Sequence, residues 1–224
     1  MSNILLKSLA LTFFSLSAGM ATAQVENSNM DYASNETLKT IFERTSIRQW
    51  KSTPVEYDKV QKMLRAAMSA PTAMNRQPWD FIVLTDSSIK KKVASELHND
   101  MVERAPLVII TCGNMTKKFE KDTYYWLSDV SAATENLLLA AKSLGLGAVW
   151  TGGYPSEQRV AAVRKALELP EEIVPVAIVP IGYPAEDPLP KDKWKRDNVH
   201  YNGYGKTEFI PAAKIMRPVR RSVE

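Results

Sequence analysis

Between residues 55 and 69, Val60, Met63, Leu64, Ala67 and Met68 recur at the spacing of one helical face, with charged and amide side chains between them. The pattern predicts an amphipathic helix packed on a core, and Pro71 stops it. The same period predicts the longest helix over residues 123–144, with Val130, Ala133, Leu137, Ala140, Ala141 and Leu144 as its core stripe. Shorter helices are predicted over 36–43, capped by Asn35 or Ser34, over 88–97 and over 156–167. Between them lie runs that read as strands: 79–85, the unbroken apolar stretch 107–112, the short 148–151, and 174–181. Pro175 and Pro180 argue against a central, fully laddered position for the last of these. Strands and helices alternate without an internal repeat. A sheet covered by helices is expected, with the parallel or antiparallel sense of its strands left open.

Composition narrows this to one domain. The chain has 224 residues, 45% apolar and 24% charged, enough for one sizeable core. A net charge of +4 suits an anionic small ligand and is too weak and scattered to argue for nucleic acid. Cys112 is the sole cysteine, so no intramolecular disulfide forms, and its apolar run predicts a buried strand thiol. At the N-terminus, Lys7 precedes an apolar stretch over 8–20, then Ala21-Thr22-Ala23 supplies a small-x-small site before Gln24. Residues 1–23 therefore read as a cleavable export signal, since about a dozen apolar residues cannot span a bilayer core that needs roughly twenty. The expected product is periplasmic or secreted, with a polar leader over 24–34, a domain over 35–205 and a C-terminal extension over 206–224.

Candidate chemistry concentrates in four places. Arg44-Thr45-Ser46-Ile47-Arg48 puts two guanidinium groups and a hydroxyl within one turn of chain, the groups that hold a phosphate. Adjacent cations repel, so such a cluster implies an anion between them, although alone it would pass for solvated surface. About thirty residues on, Ala70-Pro71-Thr72-Ala73-Met74-Asn75-Arg76-Gln77-Pro78-Trp79 brings bare backbone and the amides of Asn75 and Gln77 up to a flat polar ligand, with Trp79 read as core. Gly145 reads as the left-handed cap of the long helix. Trp150 sits where a dinucleotide fingerprint would need glycine, so Gly145-Leu146-Gly147 is not one. Gly152 and Gly153 have no such local reason and let backbone N–H groups approach a ligand. The basic run 191–196 offers Lys193 and Lys195, with Arg196 as an alternative. Tyr124, Tyr125 and Trp126 either line a substrate face or begin the core turn of the long helix. No metal site is expected from His98, His200 and one cysteine, and no nucleophile elbow, zinc motif or P-loop is present.

In their order and spacing, these runs, with Ala105-Pro106, Asn136-Leu137-Leu138-Leu139 and Ile181-Gly182-Tyr183-Pro184, resemble the nitroreductase superfamily over about residues 38–204. The resemblance implies an α+β three-layer sandwich with a mostly antiparallel sheet, as an interlocked homodimer with two FMN sites at its interface. In that scheme Arg44 and Ser46 hold the FMN phosphate, with Thr45 where relatives often carry a second base, and Arg48 lies towards the N1/C2 edge. Pro71, Thr72, Ala73 and Asn75 come from the other subunit, Gly152 and Gly153 supply donors near N5 and O4, and Lys193 and Lys195 close over the phosphate. The C-terminal extension crosses onto the partner. The implied activity is an FMN-dependent oxidoreductase passing hydride through flavin N5 from a donor such as NAD(P)H to a nitroaromatic or quinone, with the catalytic side chains unassigned. Export sets this against the cytoplasmic supply of NAD(P)H. Alternatives are a flavin-storage protein without turnover, or dehalogenase or flavin-degrading chemistry on the same fold. The stretch 114–124 is short for a substrate lid.

Overall fold

The computed structural model describes residues 34–120 and 124–208. The expected signal, the leader apart from Ser34, and the C-terminal extension from residue 209 onward lie outside the described residues.

Asn35 opens the first helix: its side chain accepts from the Leu38 N–H at 3.0 Å and caps α1 (Glu36–Glu43). The chain then runs through α2 (Tyr57–Met68), β1 (Trp79–Leu84), α3 (Ser87–Leu97), α4 (Asp100–Arg104), β2 (Leu107–Asn114) and α5 (Tyr125–Ser143). It ends with β3 (Gly147–Ala148), β4 (Thr151–Gly152), α6 (Glu157–Leu167) and β5 (Ile173–Gly182). The strands form one sheet in the order β1-β2-β5-β3, with β4 also on β5, and every strand pair is antiparallel.

The two-residue period of β2 sorts its side chains between two layers. Leu107 and Ile109 join α2 and α5 in one cluster, with Met63, Val130 and Leu137. Val108, Ile110 and Cys112 join α3 and α6 in the other, with Val93 and Val163. The result is the expected three-layer α+β sandwich. The buried face of α2 is Val60, Met63 and Ala67, whereas Met68 is half exposed. Thr111 and Thr134 share a buried hydroxyl pair at 2.8 Å that ties β2 to α5. The end of α5 has both bonds of a Schellman motif, Gly145 N–H to Lys142 at 3.0 Å and Leu146 N–H to Ala141 at 2.8 Å, with Gly145 at φ 74° as expected.

β5 departs from expectation, because it lies in the middle of the sheet. The carbonyls of Pro180, Val176 and Pro175 accept from Val149, Gly153 and Tyr154 at 3.3, 2.8 and 2.9 Å. A strand residue's N–H and C=O face the same neighbour. Each proline's missing N–H therefore faces the flank where pairing is already broken, at Val149 between β3 and β4 and at Tyr154 past β4. The β2–β5 register slips between Thr111 and Cys112, a bulge that turns Pro175 to the same side as Val176. The short strand expected over 148–151 is for the same reason two pieces. α4, capped by Asn99 and stopped before Pro106, was not expected.

Candidate active site

Arg44 ends α1 with its N–H on Thr40 and turns the chain into an extended run. Ser46 bridges Ala148, and the Ile47 N–H donates to the Ala148 carbonyl at 3.0 Å. Ile47 is buried against Gly147, where a Cβ would stand 2.6 Å from it. Alternation then puts Ser46 and Arg48 on the opposite face from Ile47. The chain leaving β5 pins the other edge: Lys51 N–H donates to Tyr183 O at 2.9 Å and Ala185 N–H to Gln49 O at 3.0 Å. Glu186 adds its carboxylate, with one oxygen accepting from the backbone N–H groups of both Arg48 and Gln49. Arg44 and Thr45 line a cleft with Lys142, Gly145 and Glu186. At its wall the Arg44 guanidinium meets Glu135 at 3.3 Å, and Lys142 meets Glu43 at 3.6 Å.

The second run leaves α2 at Ser69 and makes a 3-10 turn over Ala73–Asn75. Met74, Asn75 and Gln77 all have left-handed backbone, at φ 51°, 53° and 51°. Such conformations cost of order 1 kcal/mol or more each in side-chain-bearing residues and persist where the surroundings enforce them. Here Asp129, buried on α5, accepts from the Ala73 N–H at 3.0 Å. Gln77 N–H donates to Thr72 Oγ1 at 3.2 Å, and the Gln77 amide to Asn75 Oδ1 at 3.0 Å. Arg76 reaches Lys117 O at 3.2 Å, and Lys117 pairs with Asp80 at 2.6 Å. Pro71, Thr72, Ala73 and Met74 line a mainly apolar cavity of about 560 Å³ with Phe119 and Tyr125. The three aromatics at the start of α5 divide: Trp126 is core, against Tyr154 at 5.1 Å between centroids, Tyr125 lines the cavity and Tyr124 is exposed. Trp79 is core, as expected.

The glycine pair also divides. Gly153 gives its N–H to Val176 at 2.8 Å, and a Cβ there would stand 2.5 Å from the Pro175 carbonyl. Its glycine is thus demanded by packing. Gly152, one residue earlier, faces the opposite edge, and a Cβ there would meet nothing within 4 Å. Its carbonyl accepts from Arg159. Lys193, Lys195 and Arg196 are exposed on the segment after β5, and no hydrogen bond or ion pair among the described residues joins them to the Arg44 run.

Arg44 and Thr45 share their cleft with Leu138 and Lys142 of α5, whereas Pro71 to Met74 share theirs with Ser128 and Ala132. At the helical rise these two stations are roughly 15 Å apart. The Arg44 run and the Pro71 run thus open into separate clefts of this chain. Glu135, Glu186 and Asp129 were absent from the sequence reading. Asp129 had a signal, an acid on the core stripe of α5 beside Val130, which requires a buried donor.

The profile of the Nitroreductase family matches residues 41–103 and 90–183. A protein of Methanothermobacter thermautotrophicus, provisionally named NADH dehydrogenase/NAD(P)H nitroreductase, is 41% identical over 167 residues, which are 74% of this chain and 86% of that one. The crystal structure of a protein from Bacteroides thetaiotaomicron with the same provisional name is 44% identical with a TM-score of 0.71, over 76% of this chain and 99% of that chain. NADPH:FMN oxidoreductase from Vibrio harveyi, solved with NAD+, is 27% identical with a TM-score of 0.69, over 77% of this chain and 79% of that one. With its fold and most of its length accounted for in this way, the chain belongs to the nitroreductase family.

Proposed function

We propose that this chain is an FMN-dependent oxidoreductase that draws on a reduced nicotinamide and delivers to a flat, electron-poor acceptor, a nitroaromatic or quinone. FMN, when bound, supplies the redox chemistry by accepting hydride at N5 and passing reducing equivalents on. The observation that carries the reading is the open edge at Gly152. There a backbone N–H is presented beside space that a side chain would fill, as a planar ring carrying an acceptor requires.

The other donors fit the same group. Arg44 and Ser46 would hold a phosphate, with Thr45 beside them, and Arg48 would place a cation at the N1/C2 edge. Glu186 keeps the Arg48 backbone in position for this. Lys193 and Lys195, or Arg196, would close over the phosphate. Gly152 rather than Gly153 would donate at N5 and O4, since the Gly153 N–H belongs to the sheet. Pro71, Thr72, Ala73 and Asn75 would serve the site of a second copy. The 15 Å offset of the two half-sites along α5 supports such a homodimer, as do the exposed apolar side chains Leu38, Ile41 and Phe42 of α1. The protein's share of the work is binding, orientation and water exclusion.

Export of the mature chain from about residue 24 is part of the proposal and rests on residues 1–23. Titrating the purified mature chain with FMN tests the core of it. Saturable binding at one FMN per subunit, with quenched flavin fluorescence, is expected, and the absence of binding would overturn the reading.

A further inference from the structure

Among the described residues, Arg159 is the one attached to the Gly152 edge that nothing above accounts for. It occupies the first turn of α6, where its backbone N–H bonds the capping Ser156 hydroxyl at 3.4 Å. A cation is poorly placed there, because the helix N-terminus already carries partial positive charge. No carboxylate among the described residues pairs with it; its side chain instead reaches back and donates from Nε to the Gly152 carbonyl. Helix stability and ion pairing therefore both fail to explain an arginine at this position.

Its geometry does explain it. The N–H and C=O of Gly152 face the same strand edge, away from β5. The guanidinium that holds the carbonyl consequently stands on the edge to which the N–H is presented, and the positive end of α6 lies behind it. We propose that Arg159 is a positioning residue with two effects. It fixes the peptide plane after Gly152, and it sets an unneutralised positive charge beside whatever atom accepts the Gly152 hydrogen bond, favouring negative charge there. The proposal rests on FMN being that group, and predicts that Arg159 makes bound FMN easier to reduce.

The test uses the full mature chain loaded with FMN and the variants Arg159→Gln, Arg159→Lys and Arg159→Ala. The readouts are affinity for oxidised FMN and the midpoint potential of the bound flavin, neither of which is turnover. Arg159→Gln keeps a donor for the Gly152 carbonyl but no charge. It should bind oxidised FMN nearly as well as wild type while binding the reduced form about tenfold more weakly relative to it, a lowering of about 30 mV for a two-electron couple. Arg159→Lys keeps the charge and should stay near the wild-type potential. Should Arg159→Ala fail to fold, the other two variants still decide. An unshifted potential in Arg159→Gln, with FMN bound, would overturn the Arg159 proposal and leave the FMN reading standing. A wild-type chain that takes up no FMN would overturn both.

Discussion

At Cys112 the thiol is buried among Val108, Ile110 and Ile178, and that burial pushes it up to about 12. The folded chain thus holds this proton more tightly than the unfolded one, which releases it near the ordinary value of 9.0. The resulting stability is present in full below about pH 9 and is lost as pH rises towards 12, at up to ~1.4 kcal/mol per pH unit. Chemical unfolding of wild type and Cys112→Ala between pH 8 and 10.5 checks this. The variant's deficit should shrink above pH 9, and a deficit independent of pH would contradict the assignment. At Arg44 the prediction concerns binding. Charge-assisted hydrogen bonds are worth about 1.5–3 kcal/mol, so Arg44→Ala should weaken FMN binding by roughly ten- to a hundredfold by fluorescence titration. Unchanged affinity would place the phosphate elsewhere. Arg44 and Ser46 stood out in the sequence because their chemistry is concentrated in a few residues. Glu186 did not, because the backbone donors it accepts from lie 138 and 137 residues away and nothing local marks it.

At the scale of elements, β4 makes the sharpest contrast. Gly153→Ala would drive a Cβ to 2.5 Å from the Pro175 carbonyl, and overpacking of this kind costs about 1–3 kcal/mol. Gly152→Ala meets open space and should leave the melting temperature unchanged while lowering FMN affinity. Thermal melts and FMN titrations of both variants check the pair. Equal loss of stability in the two would contradict the strand alternation. The helices other than α4 were legible to within a few residues, because their periodicity and the caps at Asn35 and Gly145 are local signals. The position of β5 was not. Proline rules assume an even ladder, and the sequence carries no mark of which edge each missing N–H faces, nor of the bulge opposite Thr111 and Cys112. The left-handed ends of α3 and α6, at His98 and Glu168 rather than glycine, were equally silent.

For the whole molecule, the two runs open into separate clefts, and the proposed function therefore includes assembly. In the proposed homodimer each site takes the Pro71 to Asn75 turn from a second copy, so loss of the dimer should mean loss of the flavin. Leu38→Asp combined with Ile41→Asp, on the exposed face of α1, should shift light scattering from dimer to monomer and release FMN together. Monomers that retain FMN would contradict a shared site. The three-layer fold was legible from the alternation of strands and helices together with the family resemblance, whereas the opening of the two runs into separate clefts is a three-dimensional feature with no trace in spacing. The most direct test of the central claim is the absorbance spectrum of residues 24–224, reconstituted with FMN, during anaerobic addition of NADPH or NADH. The flavin band should bleach and then recover on adding a nitroaromatic or quinone. A bound flavin that neither nicotinamide bleaches would contradict the proposed reaction.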